Sequence, residues 1–294
     1  MLLHKAQMND DLHPPEIFNR QRRRTLRARA ARRTRESFLW DYIAEDLAER
    51  LAVVTRKFES VLMIGPIGRW QDKLLPDAAG NIFHAPLSDA EAAGGQTQAI
   101  DEDRLTYAPD SFDLIISAGT LDSVNDLPGA LIQIRRALKP DGLFLGHMFG
   151  AGTLSTLKSV LLAAEPNIAA PHVHPQIDLR SAADLLTRAG FALPVADQDV
   201  MTARYSDWRT LISDIRDAGL GNALAGPHRY PGKEFIGRLD SLWAVRADNH
   251  GKVDEYFTHL HMSGWAPSVQ QPRPARRGSA QVSLSAILPY PIKK

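Results

Sequence analysis

The run from Phe112 to Phe149 most narrows the folds open to this chain. Phe112-Asp-Leu-Ile-Ile-Ser117 is a short apolar stretch after a polar turn, the pattern of a strand buried on both faces of a sheet. Asp126-Leu-Pro128 then opens a segment in which Leu127, Ala130, Leu131, Ile134 and Leu138 recur at helical spacing. Asp126 is suited to the N-cap, and Pro128 is tolerated in a first turn, whose N–H groups have no helical partner. Lys139-Pro-Asp-Gly142 stops the helix, and Leu143 to Phe149 follows as a second apolar strand. Strand, helix, turn and strand make one βαβ unit with a right-handed crossover. Ligands of such sheets sit beyond the carboxyl ends of the strands.

This order resembles the class I methyltransferase fold, a Rossmann-like, doubly wound α/β sheet that binds S-adenosylmethionine. Asp101-Glu-Asp-Arg-Leu-Thr-Tyr107, followed by Pro109-Asp-Ser-Phe-Asp113, sits where that fold places the acid that accepts a hydrogen bond from the adenine amino group. The resemblance thus implies cofactor-binding roles for Asp101, Glu102 and Ser117, and for Gly65 and Gly68 in the turn after a first strand. From the residues alone, three adjacent acids also read as a solvated turn.

The first half of the fold departs from the family pattern. Val61-Leu-Met-Ile-Gly65 is the expected first strand, after which the fold uses an acid and a glycine-rich turn that lets the backbone approach the cofactor. Met63 holds the acid's place, and Ile67 and Arg69 stand where further glycines are expected, so that their side chains would enter space the ligand needs. At the end of the second expected strand, Ile82 to Leu87, Pro86 replaces the acid that ordinarily grips the ribose hydroxyls. Each charge-assisted hydrogen bond lost removes about 1.5–3 kcal/mol, and a single loss weakens binding roughly ten- to a hundredfold. The sequence therefore predicts weak or absent cofactor binding.

Absence of cysteine excludes disulfides, thiolate catalysis and cysteine-ligated metal centres, and suits a reducing compartment. No apolar run is long enough to span a bilayer. The formal net charge is +1, yet nine arginines fall between Arg20 and Arg35 without an acid among them. The segment lacks the apolar core of a signal peptide, and Asp10, Asp11 and Glu16 precede it, which argues against a transit peptide. It leads into Phe38, Leu39, Ile43, Leu47 and Leu51, which share a helical face. Three readings are open for the arginines: a partly solvated helix, a protein-contact surface, or a nucleic-acid surface. The last is disfavoured because no aromatics interleave for base stacking.

A narrower resemblance rests on Ile17-Phe-Asn-Arg20 with the basic stretch, Val124-Asn-Asp-Leu-Pro-Gly-Ala130, Leu138-Lys-Pro-Asp-Gly-Leu-Phe144, Met148-Phe-Gly150, Thr153-Leu154 and Arg273-Pro-Ala-Arg-Arg-Gly-Ser-Ala280. These are similar to the mitochondrial complex I assembly factor 5 family and its alphaproteobacterial relatives, over most of the chain. The methyltransferase of biotin synthesis is a more distant likeness. The resemblance implies a role in assembly of the respiratory NADH dehydrogenase, with arginine hydroxylation rather than methylation associated with the mitochondrial protein. It implies a respiratory-complex subunit as protein partner, reached through Arg20–Arg35. It also implies a bacterial cytoplasmic location, peripheral to the membrane, or else the mitochondrial matrix. A scaffold that has lost the cofactor is the alternative.

Residues 1–52 are expected to form a basic helical arm and residues 53–294 the methyltransferase-like domain. Within the latter, Leu179–Ala189 reads as a helix closed by Gly190, Phe191–Val195 with Val200–Tyr205 as a hairpin, and Trp208–Ile215 and Phe235–Val245 as helices. Val253–Met262 reads as an edge strand, and Gln270–Gly278 as a surface loop. His172 and His174 share a loop without an evident carboxylate partner, and His147 ends a strand near the ligand edge. Exposed or packing histidines explain these as well as a base or a ligand would. No catalytic residue or metal site is assigned.

Overall fold

The computed structural model describes residues 16–33, 37–76, 80–85, 87, 100–165, 171–226 and 232–271. Six strands form one sheet: β1 (Ser60–Ile64), β2 (Asn81–Ala85), β3 (Phe112–Ala118), β4 (Leu138–Phe149), β5 (Ala192–Tyr205) and β6 (Val253–Trp265). Their order is β2-β1-β3-β4-β6-β5. The first four run parallel, and β6 is antiparallel to both β4 and β5. The doubly wound α/β fold expected from the βαβ unit is present.

Eight helices accompany these strands among the described residues: α1 (Arg20–Ala31), α2 (Phe38–Ala52), α3 (Gln71–Leu74), α4 (Leu127–Ala137), α5 (Ser155–Ala164), α6 (Leu179–Arg188), α7 (Trp208–Asp217) and α8 (Lys233–Ala244). Alternation along the strands divides the core. Val61 and Met63 face a layer built from α2, α5, α7 and α8, while Leu62 and Ile64 face α4 and α6. Asp126 caps α4 by accepting from the Gly129 N–H at 2.8 Å, as its sequence position suggested.

Helix α5 starts differently. Its N-cap position is Leu154 in the left-handed region, which offers no capping oxygen. The fully buried Glu255 carboxylate of β6 substitutes, accepting from the Thr156 and Leu157 N–H groups at 3.0 and 2.7 Å.

Two expectations are corrected. Residues 191–205 do not turn into a hairpin; β5 is one long strand paired along its length with β6, with a register shift between Ala192 and Val195. That bulge places Pro194 where no ladder N–H is required. Strand β6 is not an edge either, because it lies between β4 and β5.

Candidate functional site

A cleft of about 420 Å³ opens at the carboxyl ends of β1 and β3. Gly65 and Gly68 line it, together with Arg27, Trp40, Arg69 and Trp70. Gly65 has φ of +108°, and a Cβ there would stand 2.6 Å from the Ala118 carbonyl oxygen. Glycine is therefore needed both for the turn and for the close strand-to-turn approach. Across the cleft, Gly119 has φ of +60°, and a Cβ on it would meet the Trp40 ring at 2.1 Å. Trp40 donates its indole N–H to the Ala218 carbonyl at 3.2 Å, which fixes this wall.

The residues that depart from the family pattern behave unequally. Ile67 is fully buried in the core beside Met63, so it does not enter the cleft, contrary to the expectation from its sequence position. Arg69 does line the cleft, with its guanidinium 5.3 Å from the Trp70 ring centre. Met63 is fully buried, leaving no acid at its position. Pro86 lies outside the described residues.

Asp101, Glu102 and Ser117 are buried and do not line the cleft. Ser117 is fully buried and shares a 2.9 Å hydrogen bond with Thr120. The acids are engaged by α1, whose inward face carries no apolar stripe; Arg20, Arg23, Arg24 and Arg27 follow one another at helical spacing along it. Arg23 donates to Glu102 at 2.5 Å and to the Ser123 carbonyl at 2.9 Å, and Arg24 donates to Asp101 at 2.9 Å. Arg20 grips Asp103 through both Nη atoms, at 2.6 and 2.7 Å. Burial pushes the Asp103 carboxyl up, but the Arg20 fork outweighs it and holds the carboxyl below its usual range. Arg27 links the two regions, lining the cleft while its Nη1 lies 3.7 Å from Glu102. Arg29 and Arg32 face solvent, and Arg35 lies outside the described residues. Four of the nine arginines thus meet an acidic turn some 80 residues away, a pairing that no local spacing reveals.

The histidines separate in the same way. His172 pairs with Glu165 at 2.8 Å, while His174 accepts the Ala223 N–H at 3.0 Å and meets the Phe18 ring edge-on. Burial, then the charges of Arg27 and Arg23, push His174 down to about 4 from the ordinary 6.5. A histidine whose folded pKa lies below its unfolded one contributes stability in full above the unfolded value and loses it as pH falls toward the folded value. Because the ring is only partly buried, we expect about 2 kcal/mol to be lost between pH 6.5 and 4. Urea unfolding of His174→Gln against the parent should show a flatter profile across that window, and parallel profiles would refute the assignment.

His147 is fully buried and is joined by two histidines that sequence reasoning missed, His259 and His261 of β6. Their alternation along Val253–Trp265 was the available signal.

The methyltransferase domain family matches residues 19–194. The mitochondrial arginine-hydroxylase NDUFAF5 of Mus musculus is 32% identical over 293 residues, covering 92% of this chain and 83% of the relative. The Danio rerio protein of the same name is 30% identical, covering 86% and 84%. A malonyl-(acyl-carrier protein) O-methyltransferase of Gallionella capsiferriformans is 28% identical over 191 residues, covering 63% of this chain and 62% of the relative. Among solved structures, the YcgJ protein of Bacillus subtilis superposes with a TM-score of 0.53 at 13% identity, over 77% of this chain and 99% of its own, a likeness of fold alone. With the cleft at the expected sheet edge and a family match over more than half of its residues, this chain belongs to the class I methyltransferase superfamily and is NDUFAF5-like along most of its length.

Proposed function

We propose that the chain binds S-adenosylmethionine in the cleft between β1 and β3, and that it modifies a protein partner during assembly of the respiratory NADH dehydrogenase. The observation that carries the reading is the Gly65 turn. A side chain there is barred by the Ala118 carbonyl and by φ, and the bare backbone borders a cleft of about 420 Å³. Gly65 and Gly68 would let the cofactor lie against the backbone, Trp40 and Trp70 would wall it from water, and Arg27 and Arg69 would face its carboxylate end. When bound, the cofactor supplies an electrophilic methyl group. The relatives' name, arginine-hydroxylase, supports arginine as the modified group, and a hydroxylation there would take its oxygen from an oxidant other than this cofactor.

The exposed side of α1, with Arg29 and Arg32, is the proposed contact for a respiratory-complex subunit. No helix among the described residues is long and apolar enough to cross a membrane. We place the protein in a bacterial cytoplasm, peripheral to the membrane, or in the matrix of a mitochondrion.

Without acids at positions 63 and 86, affinity should be on the order of a hundred- to ten-thousandfold below that of a member carrying both. Calorimetric titration with S-adenosylmethionine and S-adenosylhomocysteine tests this. Measurable but weak binding that Gly65→Val abolishes supports the proposal. Tight binding would refute the weakening, and no binding at all would refute the cofactor role and leave a scaffold.

A further inference from the structure

We propose that Asp217, the last residue of α7, recognises the guanidinium of the arginine to be modified, and that Arg33 fills this subsite in cis until the substrate displaces it. The inference rests on arginine being the modified group and adds the residue that selects it. Asp217 and Arg33 both line the cleft. Arg33 donates from Nη1 to Asp217 Oδ1. The two side chains differ in burial, with 5% of Asp217 exposed against 40% of Arg33. A nearly buried carboxylate is thus met by a cation that reaches in from solvent.

The helix that carries this acid does not account for it. The C-terminal end of a helix is the negative end of its dipole, where a carboxylate is repelled rather than stabilised. The fold nevertheless fixes Asp217 there. Gly219 and Leu220 donate their N–H groups back to the carbonyls of Arg216 and Ile215 at 3.2 and 2.9 Å. Gly219 has φ of +74°, and the turn approaches α1 so closely that a Cβ there would stand 3.3 Å from Ala30. On the cleft side, Trp40 holds the Ala218 carbonyl. A desolvated carboxylate held at the negative end of a helix calls for positive charge. A planar guanidinium meets it with two parallel N–H groups, which an ammonium cannot do.

Arg33 suits a temporary occupant. It follows the end of α1, where its own N–H reaches the Ala30 carbonyl at 2.9 Å. An ion pair whose cation lies so far in solvent adds little to stability. Exchanging Arg33 for a substrate arginine replaces one guanidinium by another, so the charge set by Arg27, Arg33, Arg69 and Asp217 stays the same. Adding an arginine beside Arg33 would instead be opposed by three like charges in one cleft. Displacement is therefore the route of entry.

The test titrates the full chain, without cofactor, with N-acetyl-arginine methylamide and its lysine counterpart, followed by calorimetry. Arg33→Ala should bind the arginine probe at least fivefold more tightly than the parent, and should prefer it to the lysine probe at least threefold. Adding Asp217→Asn should remove at least tenfold of that affinity. Arg216→Ala, which deletes the same charge from the exposed neighbour of Asp217, should change it less than twofold. Circular dichroism checks folding. Should the double variant not fold, the Trp70 indole signal of the Arg33→Ala chain, assigned with Trp70→Phe, decides, because a probe in the cleft must shift it. Equal affinity of parent and Arg33→Ala, no loss on Asp217→Asn, or an unmoved Trp70 signal would each overturn the proposal. A preference for the lysine probe would overturn it too, by removing arginine as the modified group. Because no arm contains cofactor, a failed S-adenosylmethionine titration would leave these results standing.

Discussion

Arg23→Ala should lower the unfolding free energy by about 3–5 kcal/mol, because it leaves the Glu102 carboxylate buried at 0% exposure without its closest cation. The same change at Arg29 or Arg32, on the solvent side of α1, should stay within about 0.5 kcal/mol. Arg27, 3.7 Å from Glu102, is too distant to replace a 2.5 Å contact. Glu102→Gln in the Arg23→Ala background should recover part of the loss, since a neutral amide is less costly to bury than an unpaired charge. Equilibrium urea unfolding of the three variants checks this. A loss at Arg23 no larger than at Arg29 would mean that α1 does not rest on the acidic turn.

Trp40→Ala should cost a similar 3–5 kcal/mol, as large aromatic truncations in cores do. The ring covers Gly119 so closely that a Cβ there would stand 2.1 Å from it, and the indole N–H holds the Ala218 carbonyl. Trp40→Phe separates the two contributions, since it keeps most of the packing and forfeits the hydrogen bond, which is worth about 1 kcal/mol. Because Trp40 also walls the cleft, the alanine variant should weaken S-adenosylhomocysteine binding in the same calorimetric assay. Stability within about 1 kcal/mol of the parent would show that the ring is not part of the core.

The parallel half of this fold was legible because its strands are continuous apolar runs and α4 shows its period and its cap in one short segment. The antiparallel half was not. Polar residues between Asp197 and Asp199 look like a turn, yet they belong to a strand whose ladder with β6 is satisfied regardless of side chain. Strand β6 reads as an edge in sequence because Glu255, His259 and His261 show no partner nearby in the chain, whereas each faces one from elsewhere in the fold. The cleft glycines were readable, since backbone demands leave a mark in sequence. The fate of Asp101 and Glu102 was not, because the arginines that hold them arrive through tertiary packing.

The position of β6 has a consequence for the order in which the molecule can be made. Ribosomal synthesis proceeds from the N terminus at roughly 5–20 residues per second, so the interval between completing Phe149 and completing Trp265 is on the order of ten seconds. Throughout that time β4 offers an unpaired edge and β5 has no neighbour to join. Glu255, the cap for α5, is also still to come. The nascent chain therefore carries an open sheet edge that invites association with other chains, and closing it requires insertion of a late segment between two earlier ones. Exposure of this edge during synthesis therefore opens a route to aggregation that the strength of the finished core does not close.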